Sequence, residues 1–143
     1  MKTTILISIA FFFTIGATAQ SKIIAQMSNI RNNRGVCRVC LFNNAAAFDG
    51  DKGVPVQCLT AFVKNGTAET VFENIAAGTY AIAVFHDANN NKQMDKNIFG
   101  IPKEGYGASR NKLPFASAPG FAENRFTIPD KTITTLQIRL RNL

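Results

Sequence analysis

The residues best suited to chemistry in this sequence lie in one polar segment that follows an apolar run. Residues 80–85 are apolar or aromatic, and residues 86–97 contain the only histidine, two aspartates and four asparagines. An apolar run that leads into an irregular polar segment is typical of a buried strand that delivers side chains into a loop. We therefore expect a functional site where His86 meets this loop.

Side chains of this loop have the spacing of a calcium-binding loop. Asp87, Asn89, Asn91 and Asp95 occupy positions 1, 3, 5 and 9 of that register, and Gln93 stands where a backbone carbonyl is the ligand. Calcium binds about six to eight hard oxygen atoms, which alternating Asp and Asn residues supply. The sequence makes these five residues candidate Ca²⁺ ligands, and a run of Asx turns is the alternative interpretation.

Two residues depart from the calcium pattern. Lys92 stands where the loop needs glycine for its sharp turn, and Ile98 stands where a bidentate glutamate is expected. Glu104 would have to supply that carboxylate from outside the loop. Because Lys92, Lys96 and Lys103 reduce the local negative potential, we expect any calcium affinity to be weak.

Catalysis by the same segment would require His86 to act with a carboxylate or a hydroxyl group. His86 and Asp87 are adjacent, so along a strand they face opposite sides and cannot form a simple dyad. Ser109 lacks the second glycine of the G-x-S-x-G elbow. A periplasmic hydrolase that uses His86 with Asp87, Glu104 or Ser109 is therefore an alternative to the favoured interpretation, a non-enzymatic binding or accessory module.

A third interpretation is a purely structural cell-envelope protein whose loop is a well-bonded lid. The sequence assigns no catalytic residue. The candidate ligand-binding residues are His86, Asp87, Glu104, Tyr106, Ser109 and Asn111.

Short strand-like segments separated by turns account for most of the chain. They lie at residues 21–28, 36–42, 56–64, 67–72, 79–86, 121–128 and 132–140, with one helical turn at 45–48 capped by Asn43 or Asn44. About seven short strands with almost no helical periodicity indicate an all-β fold. We expect an antiparallel β-sandwich, transthyretin-like or immunoglobulin-like, with an Asn65-Gly66 hairpin.

One long irregular loop interrupts this pattern at residues 88–120. Such loops tend to be functional, ordered by a ligand or disordered. Phe99, Tyr106 and Phe115 lie within it. We expect these aromatic side chains to pack onto the sandwich and to order the loop.

Cys37 and Cys40 have C-x-x-C spacing, and Cys58 is the third cysteine. Residues three apart on a strand face opposite sides, so a bridge or shared metal between Cys37 and Cys40 would break the strand. We expect buried apolar cysteines, with a bridge from Cys58 to one of the pair as the alternative and a redox or zinc site as the least favoured reading.

The first 19 residues have the features of a signal peptide. Lys2 is followed by an apolar stretch at 5–15 and by Ala17-Thr18-Ala19, an A-x-A cleavage site. We expect export, with cleavage after Ala19 and a single domain at 20–143. No cysteine stands at the cleavage point, so the residue that a lipoprotein would acylate is missing. The protein is therefore expected in the periplasm or outside the cell.

Composition narrows the classes of partner. The net charge of the chain is +7, and the basic residues are spread along it without a recognition motif for nucleic acid. No segment after residue 19 is long and apolar enough to span a membrane. A basic surface that is simply solvated is the first interpretation of this charge, and attraction to acidic polysaccharide or to an anionic membrane surface is the alternative. The export signal makes polysaccharide or an envelope protein the candidate partners.

A long motif lies across the strand and loop described above. It comprises residues 78–87 (GTYAIAVFHD), Asn89, Asn91, Asp95, residues 100–107 (GIPKEGYG) and Ser109. This motif closely resembles the secreted bacterial family catalogued as domain of unknown function 2141, and weaker similarity extends to residues 35–42 and 119–126. The resemblance implies an exported single-domain protein and assigns no activity to it.

The segment at residues 72–80, FENIAAGTY, is similar to the strand entry of transthyretin-like and carboxypeptidase regulatory-type sandwiches. This second resemblance implies a sandwich module of a kind that mostly binds or supports rather than catalyses.

Overall fold

The computed structural model describes residues 20–143, in which eight strands and two short helices are present. The predicted signal peptide at residues 1–19 lies outside the described residues. In chain order the elements are β1 (Ser21–Ser28), β2 (Val36–Phe42), α1 (Ala45–Phe48), β3 (Gln57–Phe62), β4 (Ala68–Ile75), β5 (Gly78–Asp87), β6 (Tyr106–Ala108), α2 (Phe121–Asn124), β7 (Phe126–Ile128) and β8 (Ile133–Arg139). Neither helix of this part of the chain is long and apolar enough to cross a membrane.

The strands form two sheets, which confirms the all-β sandwich prediction. One sheet has the order β4-β1-β8, and the other has the order β3-β2-β5-β6, with β7 paired to the first residues of β5. Every pair between these strands is antiparallel except β1 with β8, which run parallel.

The core lies between the two sheets. Alternate residues of β1 are buried, as expected for a strand with one face on the core. Ile23, Met27 and Phe72 from the first sheet and Leu41 and Ile82 from the second are almost completely buried. This apolar layer fixes β5 at the centre of its sheet, with β2 on one side and β6 and β7 along the rest of its length.

The predicted Asn65-Gly66 turn is present, and the helical turn at 45–48 is capped as expected. Asn65 and Gly66 both have positive φ angles, 52° and 73°, between the paired residues Lys64 and Thr67. The Asn44 side chain accepts a hydrogen bond from the Ala47 amide at 2.9 Å. Beyond this turn β3 and β4 do not continue as a hairpin, because they enter different sheets.

The prediction of a strand over residues 121–128 is wrong in its first half. The segment begins as the helix α2 and becomes extended only at β7. The Asp49 carboxylate accepts the Phe121 amide at 2.9 Å, and the buried Asn124 side chain donates to the carbonyls of Lys112 and Gly120 at 3.0 Å each. These long-range contacts override the alternating pattern of the sequence.

Cys37 is a buried free cysteine, as expected, whereas for Cys40 and Cys58 the structure shows the alternative, a bridge from Cys58 to one of the pair. Cys40 and Cys58 form a disulfide between β2 and β3, where they are directly opposed with their Cα atoms 4.1 Å apart. Cys37 is buried in the core, and burial raises the pKa of its thiol to about 12. The thiol is therefore protonated and unreactive at neutral pH.

The irregular segment is shorter than predicted, because β6 divides it into residues 88–105 and 109–120. The expectation that its aromatic residues pack onto the sandwich is wrong for two of them. Phe99 and Phe115 are 80% and 94% exposed, whereas Tyr106 is half-buried within β6. The polar hydrogen bonds described below, rather than aromatic packing, hold the first half of this segment.

Candidate functional site

His86 lies at the end of β5 and is buried. Its Nε2 atom is 2.7 Å from the carbonyl oxygen of Arg34, which can only accept, so Nε2 carries the proton. Its backbone amide donates to the Gly105 carbonyl at 2.8 Å. The ring of His86 thus connects the turn before β2 with the end of β5, while the next side chain, Asp87, is bound to Arg38.

Asp87 is completely buried and anchors the start of the loop. Its Oδ2 atom accepts hydrogen bonds from Arg38 Nε at 2.9 Å and from the Lys92 amide at 3.0 Å. Its Oδ1 atom accepts the Asn91 amide at 3.0 Å. A buried carboxylate needs such partners to offset its desolvation. The carboxylate therefore joins the sheet to the first turn of the loop.

Asx turns shape the same part of the loop. The Asn91 amide also donates to Asn89 Oδ1 at 3.1 Å, and the Gln93 amide donates to Asn91 Oδ1 at 2.9 Å. Lys92 adopts a left-handed conformation with φ of 66°, the region that favours glycine. The backbone thus makes the sharp turn that the calcium register requires of this position, and the Asx turns of the alternative interpretation are present as well.

Asp95 and Glu104 close the loop from its other end. The two carboxylate oxygens of Asp95 accept the side-chain amides of Asn91 and Asn89 at 2.8 and 2.7 Å. The buried Glu104 side chain accepts the backbone amides of Ala88 and Asp95 at 3.0 and 3.1 Å. Glu104 therefore connects the two ends of residues 88–95 through their backbone amides, whereas the role predicted for it was that of a calcium ligand from outside the loop.

The predicted calcium ligands lie close together but are bound to one another and to the backbone. Within residues 20–143, no three His, Cys, Asp or Glu side chains converge as a metal group. Any calcium ion would have to take further oxygen atoms from the amides of Asn89 and Asn91. The side chain of Gln93 is exposed. The side chain of Ile98 is 93% exposed and, being apolar, supplies no oxygen ligand.

Ser109 and Asn111 do not form a common site with His86. Their side chains instead make hydrogen bonds that hold the backbone together. The Ser109 hydroxyl donates to the Asn124 carbonyl at 2.6 Å and accepts the Ile82 amide at 3.0 Å. The Asn111 side chain donates to the Gln137 carbonyl and accepts the Arg139 amide, at 2.9 and 2.8 Å. Both residues fasten the segment after β6 to the sandwich.

Tyr106 takes part through its backbone. Its amide and carbonyl pair with those of Arg141 at 3.0 and 2.7 Å. The Arg141 guanidinium in turn donates to the carbonyls of Leu113 and Pro114 at 2.7 and 2.8 Å. The end of the chain therefore holds β6 in place beneath the loop.

Residues 97–102, which we call the tip, form a tight turn on the surface. This exposed turn was not predicted from the sequence. The Asn97 side chain accepts the amides of Phe99 and Ile101 at 2.9 and 3.0 Å, and its backbone amide donates to the Ile101 carbonyl at 2.9 Å. Ile98 and Phe99 project outward at 93% and 80% exposure. Apolar residues next to a turn-forming Asn and Gly, within a segment rich in Asn and Lys, were the signal in the sequence.

A concave surface lies apart from these residues. It is an open cleft of about 580 Å³ lined by Thr79, Arg110, Ala122, Arg125, Phe126 and Thr127. None of the predicted site residues lines it.

A family model described as an uncharacterized protein conserved in bacteria (DUF2141) matches residues 25–136. The chain belongs to this family. The match runs from β1 into β8 and includes Asp87, Glu104 and the whole tip. Comparisons with curated proteins and with solved structures gave no match. The DUF2141 assignment confirms the resemblance seen in the sequence, and the loop is part of the region that the family model covers.

Proposed function

We propose that this chain is an exported, non-enzymatic binding module that contacts its partner through the tip. One observation carries this proposal. The side chains of Asp87, Asn89, Asn91 and Asp95 are engaged in holding the loop, whereas Ile98 and Phe99 extend from it at 93% and 80% exposure.

Exposure of two adjacent large apolar side chains on a tightly bonded turn favours a binding role. Scattered exposed apolar residues are ordinary on protein surfaces, but neighbouring ones on a preformed loop mark contact sites. A rigid loop loses little conformational entropy when it binds. Asp87 and Glu104 attach the loop to the sandwich, and this attachment makes the loop that carries the tip rigid.

The predicted signal peptide and the Cys40–Cys58 disulfide support the exported location. Disulfides persist in oxidising compartments such as the periplasm and the extracellular space. Envelope components, including polysaccharide and envelope proteins, are accordingly the partner classes that this proposal considers.

The test is retention of the purified protein on bacterial envelope fractions. We expect the double variant Ile98→Ser and Phe99→Ser to be retained at least about tenfold less than the wild type, because burying even one such side chain contributes about 1.5–3 kcal/mol. The matched control is Phe62→Ser, since Phe62 is 81% exposed on β3. Sedimentation or filter retention with quantified protein is the measurement.

Both variants should unfold at the temperature of the wild type, because the replaced side chains are exposed. Equal retention of the wild type and the tip variant would contradict the proposal. Equal losses in the tip variant and in Phe62→Ser would also contradict it, because general surface hydrophobicity would then explain retention.

We also propose that calcium binds the loop weakly through Asp87, Asn89, Asn91 and Asp95. The favouring observation is the left-handed Lys92, which gives the backbone the turn that a calcium loop makes at this position. Against a tight site, Asp87 already pairs with Arg38, and only Asp95 and the buried Glu104 add negative charge nearby. An affinity in the millimolar range of extracellular modules is therefore expected.

Thermal unfolding measures this calcium binding. At calcium concentrations above the dissociation constant, the unfolding midpoint should rise relative to that in chelator, because a ligand of the native state stabilises it by mass action. The variant Asp95→Asn should lose most of the shift. An unchanged midpoint at several millimolar calcium, or the same shift with magnesium, would end the calcium proposal.

The other interpretations remain as hypotheses with different requirements. A hydrolase would need His86 to converge with Asp87, Glu104 or Ser109 around a pocket, whereas Asp87 is bonded to Arg38, Glu104 to backbone amides, and the Ser109 hydroxyl to Asn124 and Ile82. A purely structural envelope protein would need no exposed apolar tip. The retention experiment separates this structural role from binding, because a structural protein would be unaffected by the tip variant.

A further inference from the structure

We infer that the tip inserts into the interfacial region of an anionic lipid bilayer. This inference rests on the binding role proposed above and names the partner. It is carried by the shape of the tip and by the charges at its base.

The tip is small and convex. The pairing of Lys96 with Pro102 closes its base, so that only residues 97–101 extend beyond it. A Cβ atom added at Gly100 would meet no atom within 4 Å, which indicates open space around the turn. A stable protein interface needs about 20–30 residues from each partner, which two or three side chains on a turn do not supply. A bilayer interface accepts an apolar projection to a depth of about 5–10 Å.

The charges at the base of the tip are positive. Lys96 precedes the tip directly, and Lys103 follows it, with its amide bonded to the Asp95 carbonyl at 2.8 Å. Both lysine side chains are exposed, as is that of Lys92. No acidic residue lies between Lys96 and Lys103 in the sequence. Lysines that border an inserted apolar group attract anionic headgroups.

The nearest carboxylates on the loop are less exposed than these lysines. Asp95 is only partly exposed and Glu104 is buried, whereas Lys96 and Lys103 are both exposed beside the tip. The whole chain carries a net charge of +7, so its general field also favours an anionic surface. Apolar contact and charge therefore select the same partner.

The test is co-sedimentation with vesicles in chelator. Vesicles of phosphatidylcholine alone are compared with vesicles that also contain phosphatidylglycerol. The wild type should bind the anionic vesicles and bind less as salt increases, because screening weakens surface attraction. The tip variant with Ile98→Ser and Phe99→Ser should bind at least about tenfold less.

Charge is tested by the double variant Lys96→Gln and Lys103→Gln. We expect about fivefold weaker binding for each lysine removed. The matched control is Lys52→Gln with Lys131→Gln, two exposed lysines outside the loop, which lowers the net charge equally and should weaken binding much less. Equal losses in the two charge variants would contradict specific contact at the tip.

Three results would overturn the inference. They are absence of binding to anionic vesicles, equal binding to neutral ones, and self-association of the protein that the tip variant abolishes. If envelope fractions retain the protein through the tip while pure vesicles do not, the lipid inference fails and the binding module stands. If neither retains it, both fail.

Discussion

Replacing Gly35 with alanine is expected to prevent the native fold or to reduce the free energy of unfolding by at least about 3 kcal/mol. A Cβ atom at this position would lie 1.9 Å from the carbonyl oxygen of Asp87 and 2.7 Å from the Cα atom of Ala88. Both are backbone atoms, so no side chain can move aside. Gly35 also has φ of +66°, a conformation that strains other residues. Denaturant unfolding followed by circular dichroism measures the effect.

Gly50→Ala is the matched control for this substitution. Gly50 has φ of +86°, and a Cβ atom there would meet nothing within 4 Å. Its replacement therefore has only the conformational cost, about 1–2 kcal/mol. Equal destabilisation by Gly35→Ala and Gly50→Ala would contradict the close packing of the turn before β2 against the end of β5. It would also contradict the described structure at the start of the loop, which begins there.

Replacing Asp87 with alanine is expected to lower the free energy of unfolding by about 3–5 kcal/mol. The substitution leaves the Arg38 guanidinium, whose side chain is only 24% exposed, without its carboxylate. It also removes the acceptor of the Asn91 and Lys92 amides, so the first turn of the loop loses its attachment to the sheet. Chemical unfolding measures the stability, and we expect the tip to bind less as well, since its support is lost.

A double-mutant cycle distinguishes the ion pair from the loop contacts. If Arg38→Met is added to Asp87→Ala, the unpaired cation is gone, and the double variant should be less destabilised than the sum of the single variants. Asp95→Ala should have a smaller effect, because Asp95 is only partly buried and is bonded to side chains on the surface. A loss below about 0.5 kcal/mol for Asp87→Ala would contradict its anchoring role.

The sandwich and the location of the loop could be predicted because local patterns specify them. The buried run at residues 80–85, the Asn65-Gly66 turn and the cap at Asn44 are each determined by residues close in sequence. Strand pairing depends on distant residues, so the parallel pairing of β1 with β8 and the separation of β3 from β4 were not visible in the sequence. The disulfide also depends on strand pairing, because it requires Cys40 of β2 to lie opposite Cys58 of β3.

The residue types in the sequence located the candidate site, but they did not show which hydrogen bonds each of its side chains makes. The Asp and Asn pattern after His86 correctly indicated an ordered turn, and Glu104 does reach it from outside. Which group each oxygen atom binds depends on Arg38, a residue of another strand. The outward direction of Ile98 and Phe99 also follows from the turn that Asn97 closes, whereas an apolar residue in a sequence is ordinarily expected inside.

The hydrogen bonds of Asp87 and Glu104 hold the loop in one conformation, and the proposal that the apolar tip binds a partner rests on this preformed loop. Hydrogen exchange of the free protein in chelator tests this most directly. The amides of Ala88, Asn91, Lys92 and Asp95, which are bonded to Asp87 and Glu104, should exchange about tenfold or more slower than those of an unstructured chain. Exchange of these amides at the unstructured rate until calcium or a partner is added would contradict a preformed loop.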